Sequence, residues 1–115
     1  MGLLTRKKSK VFTALNAVTG VTTGQRSTGG LNGESLHTYQ INTTGGPSAV
    51  TVAVEGSLDG NSWFELAAHT MTASELSAEA AMFHIKDRPV PYTRTNLTTL
   101  SGGTAPTVTV QYRIM

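Results

Sequence analysis

The sequence predicts an all-β protein, a β-sandwich of jelly-roll-like type with one short helix near residues 72–80. Three observations predict this fold class. Thr, Ser, Gly and Val dominate the chain, and these residues favour strands and turns over helices. Apolar residues alternate with polar ones in several short segments. Turn sequences with Gly or Pro separate these segments at regular intervals, as they do in sandwiches.

The chain length of 115 residues fits one domain. We expect a basic N-terminal arm over residues 1–10, carrying Arg6, Lys7, Lys8 and Lys10, and a single sandwich domain over residues 11–115. The arm is interpreted either as a frayed terminus or as a segment that orders against an acidic partner.

The first segment of the domain, residues 10–18, fits a strand or a short helix. Val11, Leu15 and Val18 have helical spacing, whereas Val11-Phe12-Thr13 favours a strand, and the turn residues that follow favour the strand. Residues 19–34 are rich in Gly, Thr and Ser, which predicts a long loop or two turns around a short edge strand. A loop of this length is often functional or ordered by a partner.

From residue 35 onwards the period of two predicts strands with one apolar face each. The predicted faces are His37, Tyr39 and Ile41; Val50, Val52 and Val54; Phe64, Leu66 and Ala68; and Val108, Val110, Tyr112 and Ile114. Further strands are predicted at 82–86 and 92–100. The last strand is expected inside a sheet, because its apolar face is so regular.

One segment predicts a helix. Thr72-x-x-Glu75 fits a capping box, so we expect a short helix near 72–80 that bridges the two sheets. Turns are predicted at 43–47 and 101–106. Residues 87–91 cannot form a central strand, because Pro89 and Pro91 lack backbone donors.

Residues 58–61 predict the turn of a hairpin. Asp59-Gly60 is a favoured hairpin pair, because Gly accepts a positive φ and Asp tolerates the left-handed region. Trp63 follows closely, and we expect it to plug one end of the sandwich. Asp59, Gly60 and Trp63 are therefore interpreted as a structural turn.

The composition excludes several function classes. The chain has no Cys, so it has no disulfide or thiolate metal site, and a net charge of +2 is too small to imply nucleic-acid binding. No apolar run is long enough to span a membrane. The basic residues near the N-terminus are not followed by an apolar stretch, so we expect a soluble protein without a cleaved signal.

The residues that could support chemistry form no recognisable constellation. Glu55 and Glu65 flank the hairpin and could face each other like glycosidase carboxylates, although solvated outer-face positions are favoured. His37, His69 and His84 lack metal-site spacing, and a strand His among Thr and Tyr is typical of a surface or rim position. We therefore expect no enzymatic activity, no metal and no cofactor.

Two patterns carry a resemblance. Ser57-x-Asp59-Gly60-x-x-Trp63 resembles a hairpin signature of discoidin-like and other β-sandwich modules, where it is a structural turn. The order of segments over residues 40–115 resembles small structural proteins of tailed bacteriophages, in particular capsid decoration (cementing) proteins. These segments are 50–66, 90–94, the strand to Leu100, Ser101-Gly102-Gly103 and 106–110. The resemblance implies a non-enzymatic protein that binds the outside of an assembled head, often as a trimer.

Two functions remain open at this point. The first is a virion structural protein, most simply a capsid decoration protein made in the host cytoplasm and located on the capsid surface. Its expected partners are the major capsid protein and further copies of itself, with a trimer favoured and without nucleic acid or membrane; Arg6, Lys7, Lys8 and Lys10 are its candidate capsid contacts. The alternative is a carbohydrate-binding sandwich module of a phage tail or baseplate, with Trp63, Tyr39 or Tyr92 as a platform.

Overall fold

The computed structural model describes residues 11–26, 36–87 and 90–114. Within them the chain forms two four-stranded antiparallel sheets and one short helix, which confirms the all-β sandwich prediction. The predicted arm with Arg6, Lys7, Lys8 and Lys10 lies outside the described residues. The same holds for residues 27–34 of the predicted loop at 19–34 and for Pro89.

The elements follow the order β1 (Val11–Val18), β2 (Thr22–Thr23), β3 (Leu36–Thr44), β4 (Ala49–Ser57), β5 (Phe64–Thr70), α1 (Ala73–Ala78), β6 (Ala80–Lys86), β7 (Tyr92–Ser101) and β8 (Thr107–Ile114). Sheet A has the strand order β1-β8-β3-β6, and sheet B has the order β2-β7-β4-β5. The chain passes between the sheets after β1, β2, β3, β5, β6 and β7, so both sheets depend on one another for their assembly.

Several predictions for individual elements are confirmed. Residues 11–18 form a strand, and the Gly-rich segment after them holds a two-residue edge strand, β2. Strand β8 lies between β1 and β3, inside sheet A. Helix α1 connects β5 of sheet B with β6 of sheet A, and Thr72 caps it with a complete capping box.

Strand β1 explains why its sequence has helix-like spacing. Its pairing with β8 shifts register twice, between Thr13 and Leu15 and between Leu15 and Val18. Each shift adds one residue to β1, so the neighbours Ala14 and Leu15 both reach the sandwich interior and Val18 follows three residues later. Leu15 is buried and Val18 packs against the core, whereas Val11 is 60% exposed.

Strand β5 corrects the predicted alternation of Phe64, Leu66 and Ala68. Val54 pairs with Ala67, but Glu55 pairs with Glu65, so β5 carries one extra residue, Leu66. This bulge lets Leu66 and Ala67 both pack against the core, although they are neighbours in sequence. Phe64 is 69% exposed, and Ala68 is exposed as well.

The core lies between the two sheets and is built from the inward faces of the central strands. Its fully buried aliphatic residues are Val50, Val52 and Val54 of β4, Ile41 of β3, Leu97 of β7, and Val108 and Val110 of β8. Strand β7 also turns Thr93 and Thr95 inward. Burial of this apolar surface is the main force that holds the sheets together.

A row of four aromatic rings crosses sheet A at one level. Phe12, Tyr112, Tyr39 and Phe83 come one from each strand, and each is the direct cross-strand partner of the next. Their ring centroids are 5.3, 5.5 and 5.1 Å apart and their planes are close to parallel. Such spacing is favourable for stacked rings, so the row reinforces all three strand pairings together.

Tyr39 is the polar centre of this row. It is 1% exposed, and its hydroxyl shares a hydrogen bond with Thr93 of the opposite sheet. Burial raises the pKa of Tyr39, so the hydroxyl stays protonated and available for this bond. His37 lies beside it, with Nδ1 3.3 Å from the Tyr39 hydroxyl.

Helix α1 is fixed to the end of the aromatic row. The His69 ring stacks on Phe83 at 5.4 Å, and His69 Nε2 lies 2.9 Å from Oε1 of Glu75. The same Glu75 oxygen accepts a hydrogen bond from the Thr72 backbone N–H, while Thr72 Oγ1 accepts one from Glu75 N–H. Glu75 therefore joins the helix cap to β5.

We predict that the row is decisive for stability. Tyr39→Ala should lower the free energy of unfolding by about 3–5 kcal/mol, because it removes a buried ring from the centre of the row. Tyr39→Phe, which keeps the ring and loses the bond to Thr93, should cost about 1–2 kcal/mol. Denaturant unfolding followed by Trp63 fluorescence measures both changes.

The matched control for this test is Phe64→Ala. Phe64 is exposed, so its truncation should change the free energy of unfolding by less than about 0.5 kcal/mol. Equal losses for Tyr39→Ala and Phe64→Ala would contradict the role given to the row.

Candidate interaction surfaces

The hairpin between β4 and β5 is organised by two side chains. Ser57 is buried, and its Oγ accepts hydrogen bonds from the backbone N–H groups of Asp59 (3.3 Å) and Gly60 (2.8 Å). Asp59 Oδ1 accepts hydrogen bonds from the N–H groups of Asn61 (2.8 Å) and Ser62 (2.9 Å). The connection therefore spans residues 58–63, longer than a two-residue turn, with its backbone donors satisfied by Ser57 and Asp59.

Asp59 and Gly60 both have structural roles in this loop. The N–H groups of Ser62 and Asn61, followed by the Ser57 hydroxyl, hold the pKa of Asp59 below its usual value. Gly60 has a φ of +80°, and a Cβ there would meet the guanidinium of Arg26. The Asp59 carboxylate is used as a backbone acceptor, which leaves it a poor acid for catalysis.

Trp63 lies in a different place from the one predicted. It is partly buried but does not belong to the residues that pack against the core, so it does not plug the sandwich. Its ring lies under Arg94 of β7, with the guanidinium carbon 4.4 Å from the ring centroid. Arg94 faces outward from sheet B, and its cation–π contact with Trp63 holds the Trp63 ring against the outer face of that sheet.

Glu55 forms an ion pair with Arg94. Its Oε1 accepts hydrogen bonds from Arg94 Nε (2.7 Å) and from Asn96 Nδ2 (2.8 Å). Burial acts to raise the pKa of Glu55, but the bonds from Arg94 and Asn96 and the charge of Arg94 outweigh it, so the pKa is lowered. Glu65 is the direct cross-strand partner of Glu55, as the sequence allowed, but Glu55 is held ionised by Arg94 and is unsuited to act as a general acid.

Together these residues form an arginine–aromatic cluster on the outer face of sheet B. Its members are Trp63, Arg94, Glu55, Asn96, Tyr92 and Arg26. The guanidinium of Arg26 lies 4.8 Å from the centroid of the Tyr92 ring. Trp63 and Tyr92 thus each have one ring face occupied by an arginine, and Tyr39 is buried, so none of the three aromatic platforms considered from the sequence is freely open.

The three histidines are separated by the fold. His37 is fully buried, which corrects the expected surface or rim position, and burial lowers its pKa. His69 is bound to Glu75. Nδ1 of His84, on β6, lies 2.9 Å from the Thr38 hydroxyl.

Among residues 11–26, 36–87 and 90–114, no three His, Asp or Glu side chains are grouped to hold a metal ion. In the same part of the chain, none of the helices has the length and apolarity to cross a membrane.

The outer face of sheet A has a different character, and we call it the acid-free face. Its outward residues alternate with the buried ones: Val11 and Thr13 of β1, Thr38, Gln40 and Asn42 of β3, Met82, His84 and Lys86 of β6, and Thr109, Gln111 and Arg113 of β8. None of these residues is Asp or Glu. Val11, Gln40, Met82, Gln111 and Arg113 surround a shallow depression on this face.

Sequence reasoning missed both surfaces. It identified Trp63, Tyr92 and Glu55 singly, but the contact with Arg94 depends on how β7 pairs with β4, where Glu55 is opposite Arg94. The alternation of β3 and β8 was a sufficient signal for the outward positions of the acid-free face. Its strand order, which places β8 between β1 and β3, came only with the fold.

Comparison with known proteins gives a fold likeness. No family model and no curated protein sequence matches this chain. The crystal structure of SPBc2 prophage-derived protein YomS is similar, with a TM-score of 0.66 and 10% identity over 99% of this chain and 98% of that chain. The crystal structure of PirA has a TM-score of 0.48 and 15% identity over 96% and 99% of the two chains. The chain therefore shares its fold with a prophage-derived protein.

We predict that Gly60→Val destabilises the hairpin. A β-branched residue resists a φ of +80°, and its Cβ would displace Arg26, so the free energy of unfolding should fall by about 1–2 kcal/mol. Gly20→Val is the matched control, because a Cβ at Gly20 meets nothing within 4 Å and its φ is not positive. Equal Tm values for the two variants would show that Gly60 carries no such constraint.

We predict that Glu55 contributes to the loss of stability in acid. Since the folded-state pKa of Glu55 is lowered, its contribution is present above the ordinary value of 4.5 and is lost as the pH falls through the folded-state value. Glu55→Gln should therefore be less stable at neutral pH and should show a shallower decline of Tm between about pH 5 and pH 2. The control is Glu65→Gln, which leaves the contact between Glu55 and Arg94 in place and should retain the wild-type decline of Tm. A wild-type decline in Glu55→Gln would contradict the role given to Glu55.

Proposed function

We propose that this protein is a non-enzymatic structural protein of a bacteriophage virion, a decoration protein that binds the outer surface of the assembled head. The expected partner is the major capsid protein, and the expected assembly is a homo-oligomer, with a trimer favoured. The fold it shares with a prophage-derived protein supports a phage-related role.

The observation that carries the proposal is that the carboxylates that could act in catalysis are engaged in hydrogen bonds that hold the fold together. Asp59 holds the hairpin, Glu55 holds Arg94, and Glu75 holds His69 and the helix cap. Each of these carboxylates has a lowered pKa, so each is kept ionised as an acceptor of hydrogen bonds. Such a molecule is suited to present rigid surfaces to a partner.

Binding to a lattice suits these properties. A shell offers many equivalent positions, so an oligomer of weak binding units gains high overall affinity when several units engage together. Because attachment occurs only on the assembled state, each bound copy stabilises that state by mass action. The sandwich need not change shape for this, and a preorganised surface loses less entropy on binding.

The direct test is co-sedimentation with capsids that lack this protein. Saturable binding at a fixed ratio per capsid subunit is the expected result. Binding to a glycan array with none to capsids would overturn the proposal in favour of the carbohydrate-binding alternative. In that case Trp63→Ala should abolish glycan binding, because Trp63 is the large aromatic ring that is partly accessible at the surface.

We predict that the basic arm strengthens attachment. Deletion of residues 1–9 removes Arg6, Lys7 and Lys8 and should leave Tm unchanged but weaken capsid binding by about tenfold at low salt, where exposed charges are least screened. A full-length variant with these three residues changed to Gln is the matched control, since it removes the charge and keeps the length. If both variants bind like the wild type at low salt, the arm has no part in attachment.

A further inference from the structure

The charges of this protein are distributed unequally between its two faces. Six of its seven acidic residues lie in the described part of the chain: Glu55, Asp59, Glu65, Glu75, Glu79 and Asp87. The first three belong to β4, β5 and their hairpin, the next two to the helix region, and Asp87 follows the end of β6. The outward strand residues of the acid-free face thus include no carboxylate, and Asp87 lies at its border, directly after Lys86.

Two cations lie at one end of the acid-free face. Arg113 pairs with Val11 on one side and Thr38 on the other, and Lys86 pairs with Leu36 of β3. Both side chains are exposed. Arg113 and Lys86 thus place two positive charges at this end of the face, with Asp87 directly after Lys86 at its border.

The remaining surface of this face is apolar and neutral polar. Met82 is 52% exposed and Val11 is 60% exposed, beside Gln40 and Gln111. Several polar side chains are already held in place: Thr38 by His84 at 2.9 Å, and Gln40 Nε2 by Asn42 Oδ1 at 2.6 Å. Side chains that are fixed before binding lose little conformational entropy when a partner covers them.

The outer face of sheet B is arranged in the opposite way. Its cations are occupied within the molecule, Arg94 by Glu55 and Trp63, and Arg26 by Tyr92. Its acidic residues are also spread over the hairpin that borders it. A negatively charged partner would meet repulsion there and attraction on sheet A, so the difference in charge distinguishes the two faces.

We propose that the acid-free face is the surface that docks on the shell, and that its partner is an acidic protein surface. That surface would present carboxylates towards Arg113 and Lys86 and apolar side chains towards Met82 and Val11. This inference rests on the proposed function, since it names the face and the partner chemistry of the same attachment. Thr, Gln and Met side chains favour a protein surface over DNA or lipid, whose binding requires a denser array of cations.

The test uses two double variants with identical chemistry on opposite sides of the molecule. Gln111→Glu with Arg113→Glu places two carboxylates on the acid-free face, and Gln25→Glu with Arg26→Glu makes the same charge change beside sheet B. All four side chains are at least partly exposed, so thermal unfolding should confirm that both variants fold. Capsid binding is then measured by co-sedimentation at low and at high salt.

The expected result is a loss of affinity of about tenfold or more for the Gln111/Arg113 variant at low salt, with a smaller loss at high salt. The Gln25/Arg26 variant should bind within about twofold of the wild type. If the wild type sediments with capsids but both double variants bind equally, the docking face is wrong while the proposed function stands. If the wild type does not sediment with capsids, the proposed function itself fails. Preferential binding to bare DNA or to anionic vesicles would overturn the partner chemistry.

Discussion

The stacking of four aromatic rings across sheet A is the contact on which the rest of the sandwich depends. Because Phe12, Tyr112, Tyr39 and Phe83 come from four different strands, the row is complete only when all three strand pairings have the correct register. A slip of one residue in any strand would turn its ring to the opposite face of the sheet. Tyr39 extends this control to sheet B through its bond with Thr93, and His69 extends it to β5 and the helix cap.

The same register decides where the polar side chains lie. Once Tyr39 and the valines of β4 face inward, the alternate residues of β3 and β4 must face outward on opposite sides of the molecule. On sheet B charged and aromatic outward residues gather around Arg94, which contacts both Glu55 and Trp63. On sheet A they are Thr, Gln, Asn and Met, with cations at one end. One folded core therefore produces one face on which Arg94 forms an ion pair with Glu55 and one face whose outward strand residues include cations and no carboxylate.

This asymmetry gives a physical basis for attachment to a larger assembly. A face made of short, ordered, neutral side chains needs little reorganisation when it is covered, and a few cations at its border set orientation and partner choice. The likeness to YomS concerns the fold, and at 10% identity the surface residues of the two proteins are largely different. Partner specificity in this protein therefore depends on its own outward residues.

The sequence by itself determined the fold class, the strands with regular alternation, the capped helix and the inward faces of β3, β4 and β8, because these depend on local periodicity and local hydrogen bonds. It also identified Asp59 and Gly60 as turn residues. Only the tertiary structure decided the bulges of β1 and β5, the burial of His37, the position of Trp63 under Arg94 and the composition of the acid-free face. Each of these depends on which residue of another strand lies opposite. A cross-strand partner at the other end of the chain, as Arg113 is for Val11, leaves no local pattern in the sequence.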